Sequence, residues 1–161
     1  MKNREKEILF QLLRNSKLSD REMAKKLNTS QSTVTRTRHK LENRFIQSYT
    51  VVPDLSKLDI NLIAFTFGNC TKPTNELMKK IGDFMDEQQN VVFLGHGEGM
   101  GKTAVIVSFH RDFSDFTEFM RAMRQVCTGF SETLESFIVS TDKVPRTLNM
   151  AKAVESLVNK E

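Results

Sequence analysis

The stretch SDREMAKKLNTSQSTVTRTRHKLE, residues 19–42, carries the strongest structural signal in the chain. Ser19 is a typical helix N-cap, and Glu22 stands three positions later, which predicts a capping box at the start of a short helix. Asn28 tolerates the left-handed conformation of a tight turn, so that helix is expected to end there. Ser30 is a second N-cap and predicts a further helix. The stretch therefore predicts two helices joined by a tight turn.

The small and apolar residues of this stretch have the spacing of a helix-turn-helix. Ala24 supplies the small residue where two helices cross, and Val34 and Leu41 anchor the second helix, with Met23 and Leu27 completing a small core. Helical spacing then leaves a polar face of the second helix free for the major groove. The predicted DNA contacts are Gln31, Ser32, Thr33, Thr35, Arg36, Arg38, His39 and Lys40.

These contacts are predicted to divide into two kinds. Arg36 is expected to bind guanine O6 and N7, and Gln31 to pair with adenine. Arg38, Lys40 and Arg44 are expected to contact phosphates, which set the register on DNA and make binding depend on salt. Arg36→Ala is therefore expected to weaken specific binding, and Lys40→Ala to weaken binding to all sequences alike. The alternative is an exposed polar helix in a module that does not bind DNA.

The charge is unevenly divided along the chain. Residues 1–50 carry 12 Lys and Arg against 5 Asp and Glu, whereas the remaining 111 residues carry 12 against 15. A basic block joined to a mildly acidic one favours a polyanionic partner for the first part alone. A solvated basic surface without a partner is the alternative.

Hydrophobic periodicity predicts the other elements. They are a first helix from Arg4 to Arg14, a strand over 46–52, strands at Leu62–Phe67, Val91–Leu94, Lys102–Phe109 and Thr133–Ser140, and helices at Thr74–Gln88, Ser114–Val126 and Arg146–Asn159. This order predicts an α+β protein, with an N-terminal winged helix-turn-helix and a C-terminal ferredoxin-like βαββαβ sandwich. The predicted domains are 1–52 for DNA binding, a linker over 53–61, 62–145 for dimerisation and effector binding, and a C-terminal helix over 146–161.

Residues 19–42, followed by Phe45, Ile46 and Tyr49, resemble the opening domain of the Lrp/AsnC (feast/famine) transcription regulators. The resemblance continues through residues 53–58, which are similar to that family's linker, and into the βαββαβ order. It implies a sequence-specific, double-stranded DNA-binding regulator that forms a homodimer through its α/β domain. It further implies assembly into tetramers or octamers and response to a small-molecule effector such as an amino acid.

Two places depart from the family pattern. Arg44 stands where the family usually has a glycine, and a left-handed arginine there would cost roughly 1 kcal/mol. The segment between the second and third strands is glycine-rich, and it lacks the aspartate that helps to hold the amino-acid effector in the family. We expect a flexible loop here, with an effector or oligomer contact as the functional alternative; the candidate effector residues are Gly95, His96, Gly97, Glu98, Gly99, Met100 and Gly101. The Gly-Lys-Thr that ends the segment lacks the spacing of a phosphate-binding P-loop.

Several function classes find no support in the sequence. No apolar run approaches the roughly 18 residues of a membrane span, and the charged N-terminus is unlike a signal peptide. The two cysteines, Cys70 and Cys127, do not have the spacing of a zinc site. A cytoplasmic protein is therefore expected. We expect no metal, cofactor or catalytic residue. The alternatives left open are a low-specificity nucleoid-associated protein and an Lrp-like enzyme of the sirohaem decarboxylase kind, with His96 or His110 as acid or ligand.

Overall fold

The computed structural model describes residues 1–69, 74–127, 134–144 and 150–159 of the chain. In chain order the regular elements are α1 (Asn3–Arg14), α2 (Asp20–Lys26), α3 (Gln31–Arg44), β1 (Leu62–Gly68), α4 (Asn75–Glu87), β2 (Val91–Gly99), β3 (Lys102–His110), α5 (Phe113–Val126), β4 (Glu135–Ser140) and α6 (Met150–Val158). They form two compact units, Met1–Val52 with Arg146–Glu161 and Pro53–Pro145. We call them the helix-turn-helix unit and the sheet unit.

The core of the helix-turn-helix unit follows the sequence pattern. Met23, Val34 and Leu41 are fully buried and Ala24 is nearly so, together with residues of α1. The predicted capping box between Ser19 and Glu22 is present. The predicted left-handed residue is Asn28, with φ of 46°.

The turn between α2 and α3 is held by backbone hydrogen bonds. The Thr29 amide donates to the Ala24 carbonyl oxygen over 3.0 Å, and the Asn28 amide donates to that of Lys25 over 3.4 Å. These are the two bonds of a Schellman motif, which needs a left-handed residue at the position of Asn28. Ser30 then accepts a hydrogen bond from the Thr33 amide and caps α3. Local sequence signals thus determine where α3 begins.

The C-terminal helix α6 belongs to the helix-turn-helix unit, where it contacts α1. Ala151 of α6 is buried, Arg14 of α1 forms a 2.5 Å ion pair with Glu155, and the Lys6 ammonium donates to the Val158 carbonyl oxygen over 3.1 Å. The sequence predicted a helix over Arg146–Asn159, whose first four residues lie outside the described part of the chain.

The expectation of a strand after α3 is wrong. Residues 46–52 form no strand within the described part of the chain, because an extended segment needs a neighbouring strand to bind its backbone groups, and none lies there. Arg44 is also not left-handed, since the helix continues through it to a cap at Phe45 with φ of −133°. The conformational cost that a left-handed Arg44 would carry therefore does not arise.

The sheet unit has the predicted βαββαβ order, with all neighbouring strands antiparallel in the order β2-β3-β1-β4. The observed strands and helices begin and end within a few residues of the predicted ones, except β2. Thr133, predicted as the start of the last strand, lies outside the described residues. The core lies between the sheet and α4 and α5, and includes Ile81, Ile106 and Met123.

The two faces of the sheet are differently covered. Alternate residues of β1, beginning with Leu62, are buried under the helices, and those between them are half-buried on the other side. Strand register places nine apolar residues on that other side, which we call the open sheet face: Ile63, Phe65, Phe67, Phe93, Val105, Val107, Phe109, Phe137 and Val139. Phe93 and Phe137 remain 55% and 66% exposed.

The expected flexible loop between the second and third strands is wrong. Residues 95–99 extend β2, and β3 follows after a two-residue turn at Met100 and Gly101, with φ of 52° and 68°. Positive φ at both central positions is the requirement of a type I′ hairpin turn. Glycine suggested a loop because it is rare in strands. Gly95 has a packing reason to be there, since a Cβ on it would lie 2.8 Å from the Phe93 ring.

Candidate nucleic-acid interface

The outer face of α3 brings together five of the eight predicted DNA contacts. Its residues line one shallow depression: Gln31, Ser32, Thr35, Arg36 and His39. Helical spacing places them on the side opposite the buried Val34 and Leu41. A sixth predicted contact, Thr33, lies in the first turn, where its hydroxyl and that of Ser30 are 2.8 Å apart.

Arg36 is exposed and forms no ion pair with any residue in the described part of the chain. The same holds for Lys17, Arg21, Lys25, Lys26 and Arg44, although Arg44 lies 5.3 Å from the centroid of the Phe45 ring. Arg21 and Lys25 were not among the predicted contacts. They stand on α2, the helix that crosses the DNA backbone in helix-turn-helix proteins. The signal that could have found them is the positive charge of residues 1–50, of which they are part.

Arg38 is engaged inside the unit. Its Nε lies 3.0 Å from Asp20 Oδ1 and its Nη2 donates to the Leu18 carbonyl oxygen over 2.6 Å. Both side chains of the ion pair are about one-fifth exposed. Asp20 also accepts a 2.6 Å hydrogen bond from the Thr35 hydroxyl. Arg38 therefore connects α3 to the start of α2. The phosphate contact of Arg38 stays a prediction.

Lys40 is likewise paired, here with Glu5 of α1. Hydrogen bonds from the Lys40 side chain and then from the Lys2 backbone hold the pKa of Glu5 below its ordinary value. The carboxylate of Glu5 is buried in the unit, whereas the Lys40 side chain is 43% exposed. This pair fixes α3 against α1, so a change at Lys40 affects the unit itself as well as its surface charge.

His39 faces Glu42 one turn later, with 3.3 Å between Nδ1 and Oε2. The other oxygen of Glu42 accepts a 3.0 Å hydrogen bond from the Tyr49 hydroxyl. Partial burial, and then the neighbouring Glu42, raises the pKa of Tyr49 above its ordinary value. The segment after α3 is thereby attached to the recognition helix.

The candidate effector residues are divided between the two sides of the sheet. His96 lines a cavity of about 110 Å³ under the helices, with Met78 and Ala104 among its neighbours. Met100 instead lines a depression on the open sheet face beside Phe67 and Lys102. One copy of the chain therefore does not bring residues 95–101 together around one ligand.

A serine, a histidine and an aspartate lie near one another at the end of β3. Ser108 Oγ is 2.8 Å from His110 Nε2, and His110 Nδ1 is 3.7 Å from Asp115 Oδ2. Ser108 is fully buried and His110 is 1% exposed, so a substrate cannot reach them. Burial lowers the pKa of His110, against the opposing effect of Asp115. No cluster of His, Cys, Asp and Glu suited to a metal ion occurs among the described residues.

The comparison with protein families supports a helix-turn-helix in the first part of the chain. Residues 1–44 match the family described as winged helix-turn-helix DNA-binding. No curated protein sequence matches the chain. Within the described residues, no helix is both long enough and apolar enough to cross a membrane.

Solved structures of transcription regulators share the fold along almost the whole chain. A transcriptional regulator from Neisseria meningitidis, solved with L-Met, has a TM-score of 0.81 at 16% identity over 94% of this chain and 95% of its own. An AsnC family regulator from Agrobacterium tumefaciens gives 0.79 at 18% over 93% and 95%, and AsnC of E. coli gives 0.76 at 16% over 92% and 98%. The resemblance to Lrp/AsnC regulators is thus confirmed at the level of the fold.

Proposed function

We propose that this protein is a sequence-specific DNA-binding transcription regulator that acts as a homodimer. The observation that carries the proposal is the outer face of α3, where an exposed arginine without an ion pair in the described part of the chain stands among four polar side chains on a complete helix-turn-helix. A recognition helix needs such a face because base edges in the major groove are read by hydrogen bonds and apolar contacts.

The basic side chains divide into two roles in this proposal. Arg36 reads a guanine, and Gln31 at the start of α3 pairs with an adenine. The exposed Arg21, Lys25 and Arg44 contact phosphates and supply the salt-dependent part of the affinity. Arg38 and Lys40 hold α3 in place through Asp20 and Glu5, and their phosphate contacts are secondary.

Dimerisation is proposed through the open sheet face. Nine apolar residues lie there side by side, and a contiguous apolar surface of this kind marks a protein interaction site. A second copy of the chain offers the same surface, and pairing around a two-fold axis buries both. The two recognition helices would then reach half-sites of a roughly palindromic DNA sequence.

An amino-acid effector is proposed at the hairpin formed by β2 and β3. The Neisseria meningitidis regulator of the same fold was solved with L-Met. Because one copy separates residues 95–101 between two sides of the sheet, a complete site requires residues of another copy. Effector binding would then favour one assembly, such as a tetramer or octamer, over another. The cytoplasmic location expected from the sequence stays a prediction.

The test is fluorescence anisotropy of the full-length protein with its own upstream DNA and with a scrambled duplex, from low to physiological salt. A specific regulator binds the upstream DNA tighter by about 10³-fold or more. Arg36→Ala is expected to weaken that binding by ~1–3 kcal/mol and to leave the scrambled duplex almost unaffected.

Arg44→Ala is the matched control, because Arg44 is an exposed arginine of the same helix whereas Lys40 is bound to Glu5. This variant is expected to bind both duplexes more weakly by the same factor. The slope of the logarithm of the binding constant against the logarithm of the salt concentration should become smaller by about one. Equal loss on both duplexes for Arg36→Ala would remove its base-reading role. Equal, steeply salt-dependent binding of both duplexes by the unchanged protein would indicate a nucleoid-type protein, and no binding would favour the enzyme alternative.

A further inference from the structure

Thr35 lies near the middle of the outer face of α3, yet its hydroxyl is already engaged. The oxygen is 2.6 Å from Asp20 Oδ2 and 3.1 Å from the Gln31 carbonyl oxygen. A threonine hydroxyl has one proton to donate, and both of these neighbours are acceptors. The carboxylate is the closer and the stronger acceptor. The Thr35 hydroxyl therefore has no proton left to donate to a nucleobase.

Asp20 is itself fixed in place. Its second oxygen, Oδ1, lies 3.0 Å from Arg38 Nε, and Arg38 also donates to the Leu18 carbonyl oxygen. The carboxylate stands in the first turn of α2, where the helix dipole favours a negative charge. With Asp20 mostly buried and held from two sides, its hydrogen bond to Thr35 fixes the side-chain rotamer of Thr35 as well.

We propose that Thr35 reads a thymine through its methyl group, in contact with the C5-methyl of the base. This inference rests on the proposed function of α3 as a recognition helix. The major groove distinguishes thymine by that methyl, and a threonine methyl is one of the apolar groups that contact it. With the hydroxyl turned to Asp20, the methyl is the part of Thr35 left for the groove. Since Arg36 is the next residue, the thymine is expected beside a base pair that Arg36 contacts.

Asp20 acts in this scheme as a positioning residue. In this proposal it does not contact DNA; its hydrogen bond holds the hydroxyl branch of Thr35, so that the methyl branch is the one assigned to the groove. Ser32, on the same face, has no methyl group, and its hydroxyl is 3.0 Å from that of Ser30 rather than beside a carboxylate. Among the five residues that line the outer face of α3, Thr35 alone carries a methyl group.

The experiment replaces single thymines by deoxyuridine, which removes only the methyl group. The full-length protein first selects a duplex from a random pool, and each thymine of that duplex is then replaced in turn. One replacement is expected to weaken binding of the unchanged protein by about fourfold, as the loss of one buried methyl predicts. Thr35→Ser keeps the hydroxyl and loses the methyl, so it is expected to bind both duplexes equally. Thr35→Val keeps the methyl and is expected to retain the preference.

Each outcome decides the inference. A selected duplex on which no replacement matters, or a preference that survives Thr35→Ser, overturns the reading by Thr35 and leaves the proposed function intact. A random pool from which no sequence is selected contradicts the proposed sequence-specific function, and this inference with it. Thr35→Val removes the hydrogen-bond donor of Asp20 Oδ2, and circular dichroism would reveal any loss of folding that results. In that case the comparison of the unchanged protein with Thr35→Ser alone decides whether the methyl reads the base.

Discussion

The outer face of α3 and the open sheet face are both exposed, but their chemistry differs. The first carries polar side chains and Arg36, which water solvates well, while the second carries nine apolar residues. An exposed polar face needs no partner for stability, whereas a contiguous apolar face is stabilised when another surface covers it. The proposed roles of the two faces therefore differ: the outer face of α3 would recognise DNA, and the open sheet face would hold two copies of the chain together. A change on one face is expected to leave the structure of the other face intact.

The largest expected effect comes from a charge on the open sheet face. Phe137→Asp places a carboxylate on that face, where Phe137 is 66% exposed in one copy. Dimerisation would bury the charge without a partner, so we expect a monomer by sedimentation. DNA affinity should fall by about 10²-fold or more as the second recognition helix no longer binds together with the first.

Phe113→Asp is the matched control, because Phe113 is similarly exposed, at 62%, but begins α5 away from the open sheet face. We expect it to leave the dimer and the DNA affinity unchanged. If Phe137→Asp remained dimeric, the open sheet face would not be the interface and the contrast between the two faces would lose its basis.

A smaller effect is expected from acid, which should lower the stability of the two units at different pH values. Burial lowers the pKa of His110 below 6.5, so the unfolded chain takes up a proton more readily than the folded sheet unit does. Its stability is then unaffected above pH 6.5 and falls as the pH drops below that value. In the helix-turn-helix unit, hydrogen bonds lower the pKa of Glu5 and Glu22 below 4.5. Their stabilising effect is present above pH 4.5 and is lost as the pH falls further.

Thermal unfolding followed by calorimetry between about pH 7 and pH 4 would measure this order. We expect the sheet unit to lose stability first, and His110→Gln to remove the change that begins below pH 6.5. His39→Gln is the control, since His39 is 73% exposed on its side chain and lies in the other unit. A loss that begins in the helix-turn-helix unit would contradict the order.

The smallest effect concerns the C-terminal helix. Glu155→Gln removes the ion pair between α6 and Arg14, in which the side chains of Glu155 and Arg14 are 33% and 49% exposed. Such a pair is worth ~0.2–1 kcal/mol, so the melting temperature of the helix-turn-helix unit should fall slightly and that of the sheet unit should not change.

Glu118→Gln provides the comparison, because Glu118 and Arg121 form a more exposed pair on α5, 3.8 Å apart. No measurable change is expected there. A fall in the melting temperature of the sheet unit for Glu155→Gln would show that α6 does not act within the helix-turn-helix unit alone.

Much of the fold could be predicted because its signals are local. The cap at Ser19, the turn at Asn28 and the buried faces of α4 and α5 each depend on residues within a few positions of one another. The extension of β2 to Gly99 was missed because glycine is rare in strands, and the ring of Phe93 beside Gly95 explains why a glycine stands there. The prediction of a strand over 46–52 was wrong because a strand needs a partner strand to bind its backbone groups. The propensities of residues 46–52 do not tell whether such a partner is present.

The candidate site was predicted as a face, but not residue by residue. Spacing placed Thr35, Arg36 and Arg38 on or beside the outer surface of α3 and predicted that both arginines contact DNA, Arg36 at a base and Arg38 at a phosphate. In the structure Arg36 is exposed, while Arg38 is bound to Asp20 and Leu18, which lie 18 and 20 positions earlier in the chain. The hydroxyl of Thr35 is likewise taken by a residue 15 positions away.

Three features could be derived from the sequence alone: the helix-turn-helix, the order of strands and helices in the sheet unit, and the basic character of residues 1–50. These follow from caps, turns and periodicities, in which each residue acts on near neighbours in the chain. Three other features depend on how the chain folds: which basic residues of α3 form no ion pair, the contact of α6 with α1, and the nine apolar residues on one face of the sheet. The physical reason is that ion pairs and strand register join residues distant in the chain, and no local pattern records which of them will meet.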